Sequence, residues 1–202
     1  AVPAATMVPF DPSVSLLPPE VRLPRWEQAL TSLRRDARRL DACLADAAVC
    51  GHPRLVAWRG LVQALDGAAP QTVLAAVDAF VDAVPYAHDR ETFGVADHWA
   101  GPWRFLQSRG DCEDSAIAKY ATLKRLGFAA RDLQIVVVED TLLGVAHAVL
   151  AVRLATTIWI LDNQLATPVP AAALDRYRPY YAVNEDARWL HRLPDERATS
   201  AP

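Results

Sequence analysis

Several things are scarce in this 202-residue chain, and each scarcity excludes something. Basic charge is not in excess: 21 Lys and Arg face 24 Asp and Glu, for a net charge of −3. The basic residues are nearly all arginines, scattered and without a stripe, so nucleic acid is excluded as a partner. No apolar run approaches the length of about 18 residues that a bilayer-spanning helix needs, so no transmembrane segment is expected. There is no internal repeat. The chain starts at Ala1 rather than Met, so an export signal has been removed or was never included. Cysteine occurs only three times. Cys43 and Cys50 are seven apart, a separation of about 10 Å in an unbroken helix and too far for a disulfide. A helix that ends near Ala45 and turns back would bring them together, so a disulfide is expected, with two buried free thiols as the alternative. Cys112 is then the odd thiol, a combination that fits an exported protein.

What the chain does have is concentrated in Arg109-Gly110-Asp111-Cys112-Glu113-Asp114-Ser115-Ala116-Ile117-Ala118-Lys119-Tyr120. From Cys112 onward Ile117, Tyr120, Ala121, Leu123 and Leu126 recur near the helical period until Gly127, predicting a helix of about four turns. A thiol in the first turn meets unpaired N–H groups and the positive end of the helix dipole, which favours thiolate. Asp111, Glu113 and Asp114 oppose this, because nearby like charge disfavours a second anion. Acids also serve as caps at helix starts, but three around one thiol exceed what a cap requires. The conflict resolves if some of them hold a hard cation.

The rest of the chain divides by period. Residues 1–24, with six prolines, read as an extended arm that docks through Val8, Phe10, Leu16 and Leu17. Residues 25–110 form a helical half and an aromatic loop. Pro24 opens a helix with Trp26, Leu30, Leu33, Ala37, Leu40 and Leu44 on one face and Arg34, Arg35, Arg38 and Arg39 largely opposite. A second helix follows Pro53 (Leu55, Trp58, Val62, Leu65). A third runs from Pro70 (Val73, Val77, Phe80, Val81) and is ended by Pro85. Residues 86–106 read as irregular, and their aromatic side chains are either buried or line a pocket. Residues 111–192 carry the Cys112 helix and a sheet. Leu133–Val138, Val145–Leu154 and Ile158–Leu161 are strands buried on both faces, and Tyr180–Val183 adds a fourth. The fold class is α+β, one domain over 1–202, with helices and the Cys112 helix packed on an antiparallel sheet.

A nucleophilic cysteine needs a base and a group that orients the base. Of five histidines only His147 sits inside an apolar strand. A lone strand histidine is more often a core residue, but the next strand changes this. A hairpin turning near Leu154-Ala155 or Ala155-Thr156 places Asp162 opposite His147 or one diagonal step away. Both then share a face with Val149, Ala151, Ile158 and Ile160. An acid closing an apolar run beside a buried histidine is costly unless the two pair.

These residues carry a resemblance. Gly110-Asp111-Cys112-Glu113-Asp114 through Tyr120, then Ala146-His147-Ala148-Val149-Leu150, then Ile160-Leu161-Asp162-Asn163, resemble the bacterial transglutaminase-like cysteine proteinases, periplasmic proteases that release biofilm adhesins from the cell surface. Phe93 through Pro102 is similar to that family's lead-in, and the resemblance covers roughly residues 55 to 185. It implies a papain-like, transglutaminase-type core, with Cys112 as nucleophile, His147 as base and Asp162 as orienting acid. It also implies calcium bound through Asp111 and Glu113; because calcium takes 6–8 oxygens, Asp114 is expected to help and the rest to come from backbone carbonyls, water or an upstream acid such as Asp97. It further implies periplasmic localisation, a protein substrate such as a surface adhesin, and an inner-membrane regulatory receptor as partner. Ser115 departs from the family, where tyrosine is common. The arm and the Cys43/Cys50 pair also set the chain apart, so its substrate need not be an adhesin. Two other functions fit the same residues: acyl transfer from glutamine to an amine, and a non-catalytic calcium-dependent binding protein.

Overall fold

Proline opens four of the helices, where its fixed φ suits the first turn and its missing N–H leaves nothing unbonded. The computed structural model describes residues 7, 9–10, 14–18 and 20–191; Val8, one of the arm's expected anchors, lies outside them. α1 (Pro24–Ala45) buries Trp26, Ala29, Leu40 and Cys43 and stops at Asp46. Asp46 then caps the single turn α2 (Ala47–Cys50) by accepting a hydrogen bond from Ala48 N at 2.9 Å. That reversal brings the Cys43 and Cys50 Cα atoms to 4.7 Å and the expected disulfide is formed, leaving Cys112 as the free cysteine. α3 (Pro53–Ala64) and α4 (Pro70–Asp82) follow the predicted phases, burying Leu55, Trp58 and Val62, and Val73, Val77 and Val81.

The segment after Pro85 is more ordered than its irregular pattern suggests. It holds α5 (Asp89–Thr92) and α6 (Pro102–Gln107), whose Phe105 and Leu106 are buried. Both are too short for a helical period to show. α7 (Cys112–Arg125) is almost wholly buried from Asp114 to Leu123 and ends before Gly127, which takes a φ of 88°.

The strands are β1 (Val14–Leu16), β2 (Leu133–Asp140), β3 (Val145–Leu154), β4 (Thr157–Leu161), β5 (Val169–Pro170), β6 (Tyr177–Val183) and β7 (Arg188–His191). They form one antiparallel sheet in the order β1-β7-β6-β2-β3-β4-β5. β6 begins three residues before the expected strand. Its Pro179, which cannot donate to a ladder, pairs with Val138 where the β2–β6 register shifts. The arm contributes β1, which extends the sheet through Val14↔His191 and Leu16↔Trp189. Strands this short carry no readable alternation.

Alternate residues of the central strands face two cores. Leu133, Ile135, Leu150, Val152, Leu161 and Val183 pack with Trp26, Trp58, Leu106, Ile117 and Leu123 of the helices. Val136, Val138, Val149, Ala151, Ile160 and Ala182 pack beneath Met7, Phe10, Ala171 and Trp189. Burial on both faces explains why these strands read as continuous apolar runs. No helix among the described residues is long and apolar enough to cross a membrane.

Candidate active site

Cys112 is delivered by a close approach of backbone. Gly110 bridges to Tyr86, and its carbonyl accepts Ala87 N at 2.9 Å. A Cβ on Gly110 would stand 2.3 Å from Asp114 Oδ2 and 2.8 Å from the Phe105 ring, so only glycine fits. Asp111 occupies the N-cap position, yet its side chain makes no capping hydrogen bond. Asp114 instead reaches back to accept Ala100 N at 2.6 Å, tying the 89–100 loop to the start of α7. Cys112 then begins the helix. Its thiol donates to Glu113 Oε2 at 3.1 Å, and Ala148 of β3 lines the same cavity as the cysteine. Burial pushes the thiol far above its ordinary pKa, and the charges of Glu113 and Asp111 add to this.

The hairpin takes the second of the two expected registers. Leu154 pairs with Thr157 and Ala151 with Ile160, which puts Asp162 one diagonal step from His147. The two meet: His147 Nε2 lies 2.8 Å from Asp162 Oδ1, both buried. They share the face of Val149, Ala151 and Ile160, and this is the face turned away from α7. Cys112, at the start of α7, and His147 border one cavity, while Asp162 lies on the far side of the imidazole. Among the described residues no hydrogen bond joins Sγ to the imidazole. Nε2 is taken by the carboxylate, so Nδ1 is left to accept a proton, and its neighbour is Gln164 Nε2 at 3.5 Å.

Asp162 is well supplied. Its Oδ1 also accepts Gln164 N at 2.9 Å, and Tyr177 donates its hydroxyl to Oδ2. Burial alone would push this carboxyl up, but the bonds from His147, Tyr177 and Gln164 outweigh it and hold it below the usual value. Two cavities border His147 and Asp111, and Cys112 lines the smaller of them. One of about 450 Å³ is lined by Asp82, Tyr86, Gly110, Asp111, Ser115, His147, Asn163 and Gln164. The other, about 240 Å³, is lined by Trp99, Cys112, Glu113, Val137, His147, Ala148 and Tyr181.

The acids around Cys112 gather with two from upstream. Asp89, Asp111 and Asp114, all buried, present oxygens within 4.8 Å of one another, as do Asp89, Asp97 and Glu113. Asp89 joins the two groups, and sequence reasoning missed it because it lies in a one-turn helix with no motif. Asp89 Oδ1, Asp97 Oδ1, Asp111 Oδ1 and Asp114 Oδ2 are buried without a hydrogen-bond partner. Burial, then neighbouring acids, pushes Asp111 up to about 8. Asp114 also rises to about 8, chiefly through burial. Orphaned, converging, oxygen-only donors fit a hard cation of the calcium type, which takes 6–8 oxygens. They offer no nitrogen or sulfur of the kind zinc prefers.

A second buried set also went unread. Lys119, one turn beyond Ser115 on α7, lies 2.6 Å from Asp78 and 2.8 Å from Asp82 of α4, and Ser115 Oγ donates to Asp82 at 3.1 Å.

A cysteine at the start of a buried helix, packed on an antiparallel sheet that brings up a histidine–aspartate pair, is the papain-like, transglutaminase-type arrangement of the cysteine peptidases. The chain belongs to the bacterial transglutaminase-like cysteine proteinases (BTLCP), whose family model matches residues 49–190. Its fold is similar to Legionella pneumophila LapG in the calcium-bound form, with a TM-score of 0.65 and 26% identity over 83% of this chain and 91% of that one. A second LapG structure gives 0.61 and 28% identity over 84% and 90%. EGTA-treated LapG gives 0.63 and 26% identity over 89% and 95%. Among curated proteins no match is found.

Proposed function

We propose that this cysteine peptidase is calcium-dependent and cuts a protein substrate with Cys112 as nucleophile, His147 as base and Asp162 as the acid that orients the base. The observation that carries the reading is the buried His147–Asp162 pair at 2.8 Å, its Nδ1 unclaimed by the carboxylate, with His147 and Cys112 lining one cavity. In the reaction His147 Nδ1 takes the thiol proton and Cys112 sulfur attacks the peptide carbonyl. The imidazolium, stabilised by Asp162, then protonates the departing amine. Water, deprotonated by His147, hydrolyses the acyl-enzyme.

Asp89, Asp111, Glu113 and Asp114 would hold the calcium, with Asp97 beside them. Calcium bound there would supply positive charge to offset these carboxylates, and Glu113, whose Oε2 accepts a hydrogen bond from the thiol, would be one of its ligands. Support for the metal comes from the orphaned carboxylate oxygens and from the calcium-bound and EGTA-treated forms of the similar LapG. The oxidised Cys43–Cys50 pair and the membership of the family support an exported, periplasmic protein whose substrate is a cell-surface or biofilm adhesin and whose regulator is an inner-membrane receptor.

The test is incubation of the protein with candidate surface proteins, with calcium and with chelator, followed by intact mass. Cleavage in calcium only, lost in Cys112→Ala, is expected. Joined products at the mass of an isopeptide adduct would replace hydrolysis with acyl transfer. Binding without either product would leave a calcium-dependent binding protein.

A further inference from the structure

The imidazole of His147 works as a base at Nδ1 only if its proton stays on Nε2, and the groups that decide this lie outside the three proposed catalytic residues. Asp162 Oδ2 has the Tyr177 hydroxyl as its hydrogen-bond donor. A phenol can both donate and accept, but the Asp162 carboxylate, held below its usual pKa, can only accept, so the hydroxyl donates to it. Arg176 Nη2 donates to that same phenol oxygen. A guanidinium has no acceptor, so the phenol hydrogen is left to point at Asp162. The chain of donors runs Arg176, Tyr177, Asp162, and the carboxylate is oriented to receive Nε2–H.

The same Nη2 also donates to Gln164 Oε1 at 2.9 Å. With its oxygen taken, the Gln164 amide presents its NH₂ toward His147 Nδ1, 3.5 Å away. The carboxylate is an acceptor on one side of the imidazole, steadied by Arg176 through Tyr177 and by the Nη2 3.8 Å from its Oδ2, and the amide turned by the same cation is a donor on the other, so only the Nε2–H tautomer satisfies both.

Arg176 is itself held in place. Its guanidinium lies 4.7 Å from the Tyr177 ring centroid and 3.7 Å from Asp140 Oδ2. Its carbonyl accepts Thr141 N at 2.9 Å and Thr141 Oγ1 at 2.8 Å. Asp140 in turn accepts Leu142 N at 3.0 Å and Leu143 N at 3.3 Å, so the β2–β3 turn is part of the same anchor.

We propose that Arg176 and Tyr177 are positioning residues that fix the tautomer and orientation of His147, Arg176 through Tyr177–Asp162 on one side and Gln164 on the other. The proposal rests on the assignment of Cys112, His147 and Asp162 above. It deepens that assignment by naming what keeps the base poised.

The test uses the full chain with calcium and two readouts that need no substrate. One is long-range ¹H–¹⁵N correlation of the labelled histidines, with His147 assigned by His147→Gln. The other is the rate at which iodoacetamide alkylates Cys112, the free thiol. The wild type is expected to show the Nε2–H form of His147. Tyr177→Phe and Arg176→Met are each expected to give a tautomer mixture and alkylation slower by about tenfold, the worth of one hydrogen bond. Arg176→Lys, which can still only donate, is expected to recover most of the wild-type tautomer. In an Asp162→Ala background Tyr177→Phe should change nothing further, because its effect passes through the carboxylate.

If Tyr177→Phe leaves tautomer and alkylation at wild-type values while Asp162→Ala alters both, the pair is mere packing and the positioning role is wrong. If Asp162→Ala alters neither, the triad assignment fails and the positioning role with it. Should Arg176→Met not fold, Tyr177→Phe alone decides.

Discussion

The carboxylates on the two sides of Cys112 are the same chemical groups in opposite electrical states. On the helix side Asp89, Asp111 and Asp114 are packed together with orphaned oxygens, and burial pushes their carboxyls up. On the sheet side Asp162 is just as buried, yet it is held down because His147, Tyr177 and the Gln164 amide each donate to it. Burial by itself therefore does not decide the state of an acid; the number of donors brought to it does. Asp162 is satisfied by the protein. The helix-side cluster keeps oxygens without a donor, the oxygens that the proposed calcium would use. Between these extremes Asp78 and Asp82 share one internal cation, Lys119, and Asp78 still rises to about 6 through burial.

The comparison can be broken most sharply on the sheet side. Asp162→Ala is expected to lower kcat by about 10⁴-fold, the scale seen when a triad acid no longer fixes its histidine. Cleavage rates by mass spectrometry at saturating calcium check this. A loss of less than tenfold would mean that Asp162 is structural.

Lys119→Met comes next. Removing the internal cation strands two carboxylates between α4 and α7, and losing one partner of a buried pair costs about 3–5 kcal/mol. Denaturant midpoints compared with wild type measure it. A cost below about 1 kcal/mol, the scale of exposed pairs, would place the lysine at a wetter site than its 1% exposure indicates.

A smaller effect is expected from Asp89→Asn. Wild-type protein should gain about 2.7 kcal/mol from calcium at a hundred times its dissociation constant, and the variant should lose most of that gain. Calorimetric titration and melting of chelator-stripped protein read both. An unchanged calcium response would remove Asp89 from the site.

Least in size is a difference in pH dependence. Without metal, Asp111 and Asp114 keep protons in the folded chain up to about 8, whereas the unfolded chain gives them up near the ordinary 3.8. Their contribution to stability is complete below that unfolded value and is lost as pH rises toward about 8. Asp162 behaves oppositely: its contribution is present above the unfolded value and is lost as pH falls through its lowered one. Melting temperature in EGTA should therefore fall from pH 6 to pH 8, and calcium should abolish the fall. Equal slopes with and without calcium would show that the cluster's acids are not the ligands.

How much of this could be read in advance depended on distance along the chain. Prolines at 24, 53 and 70 marked helix starts because the constraint on φ is local. The parity of His147 and Asp162 followed from strand geometry, which is also local, and the observed turn over Ala155-Thr156 selected the diagonal of the two registers left open. The Cys43–Cys50 disulfide was readable from their spacing across a helix end with Cys112 left as the odd thiol, and the structure supplies the reversal at Asp46. In contrast α5, α6, β1 and β7 are too short to show a period.

The sequence by itself determined that a lone thiol would open a buried helix among excess acids, and that a histidine and an acid would share one face of a hairpin. Periodicity and parity set both without reference to anything remote. Only the tertiary structure decided what completes each half. It brought Asp89 across from an upstream turn to make the acid cluster, and Arg176 and Tyr177 from the start of β6 to steady Asp162. It also brought Cys112 and His147 to the wall of one cavity. None of these follows from spacing, because each depends on where separately folded elements come to rest against one another, and packing between distant segments leaves no period in the chain.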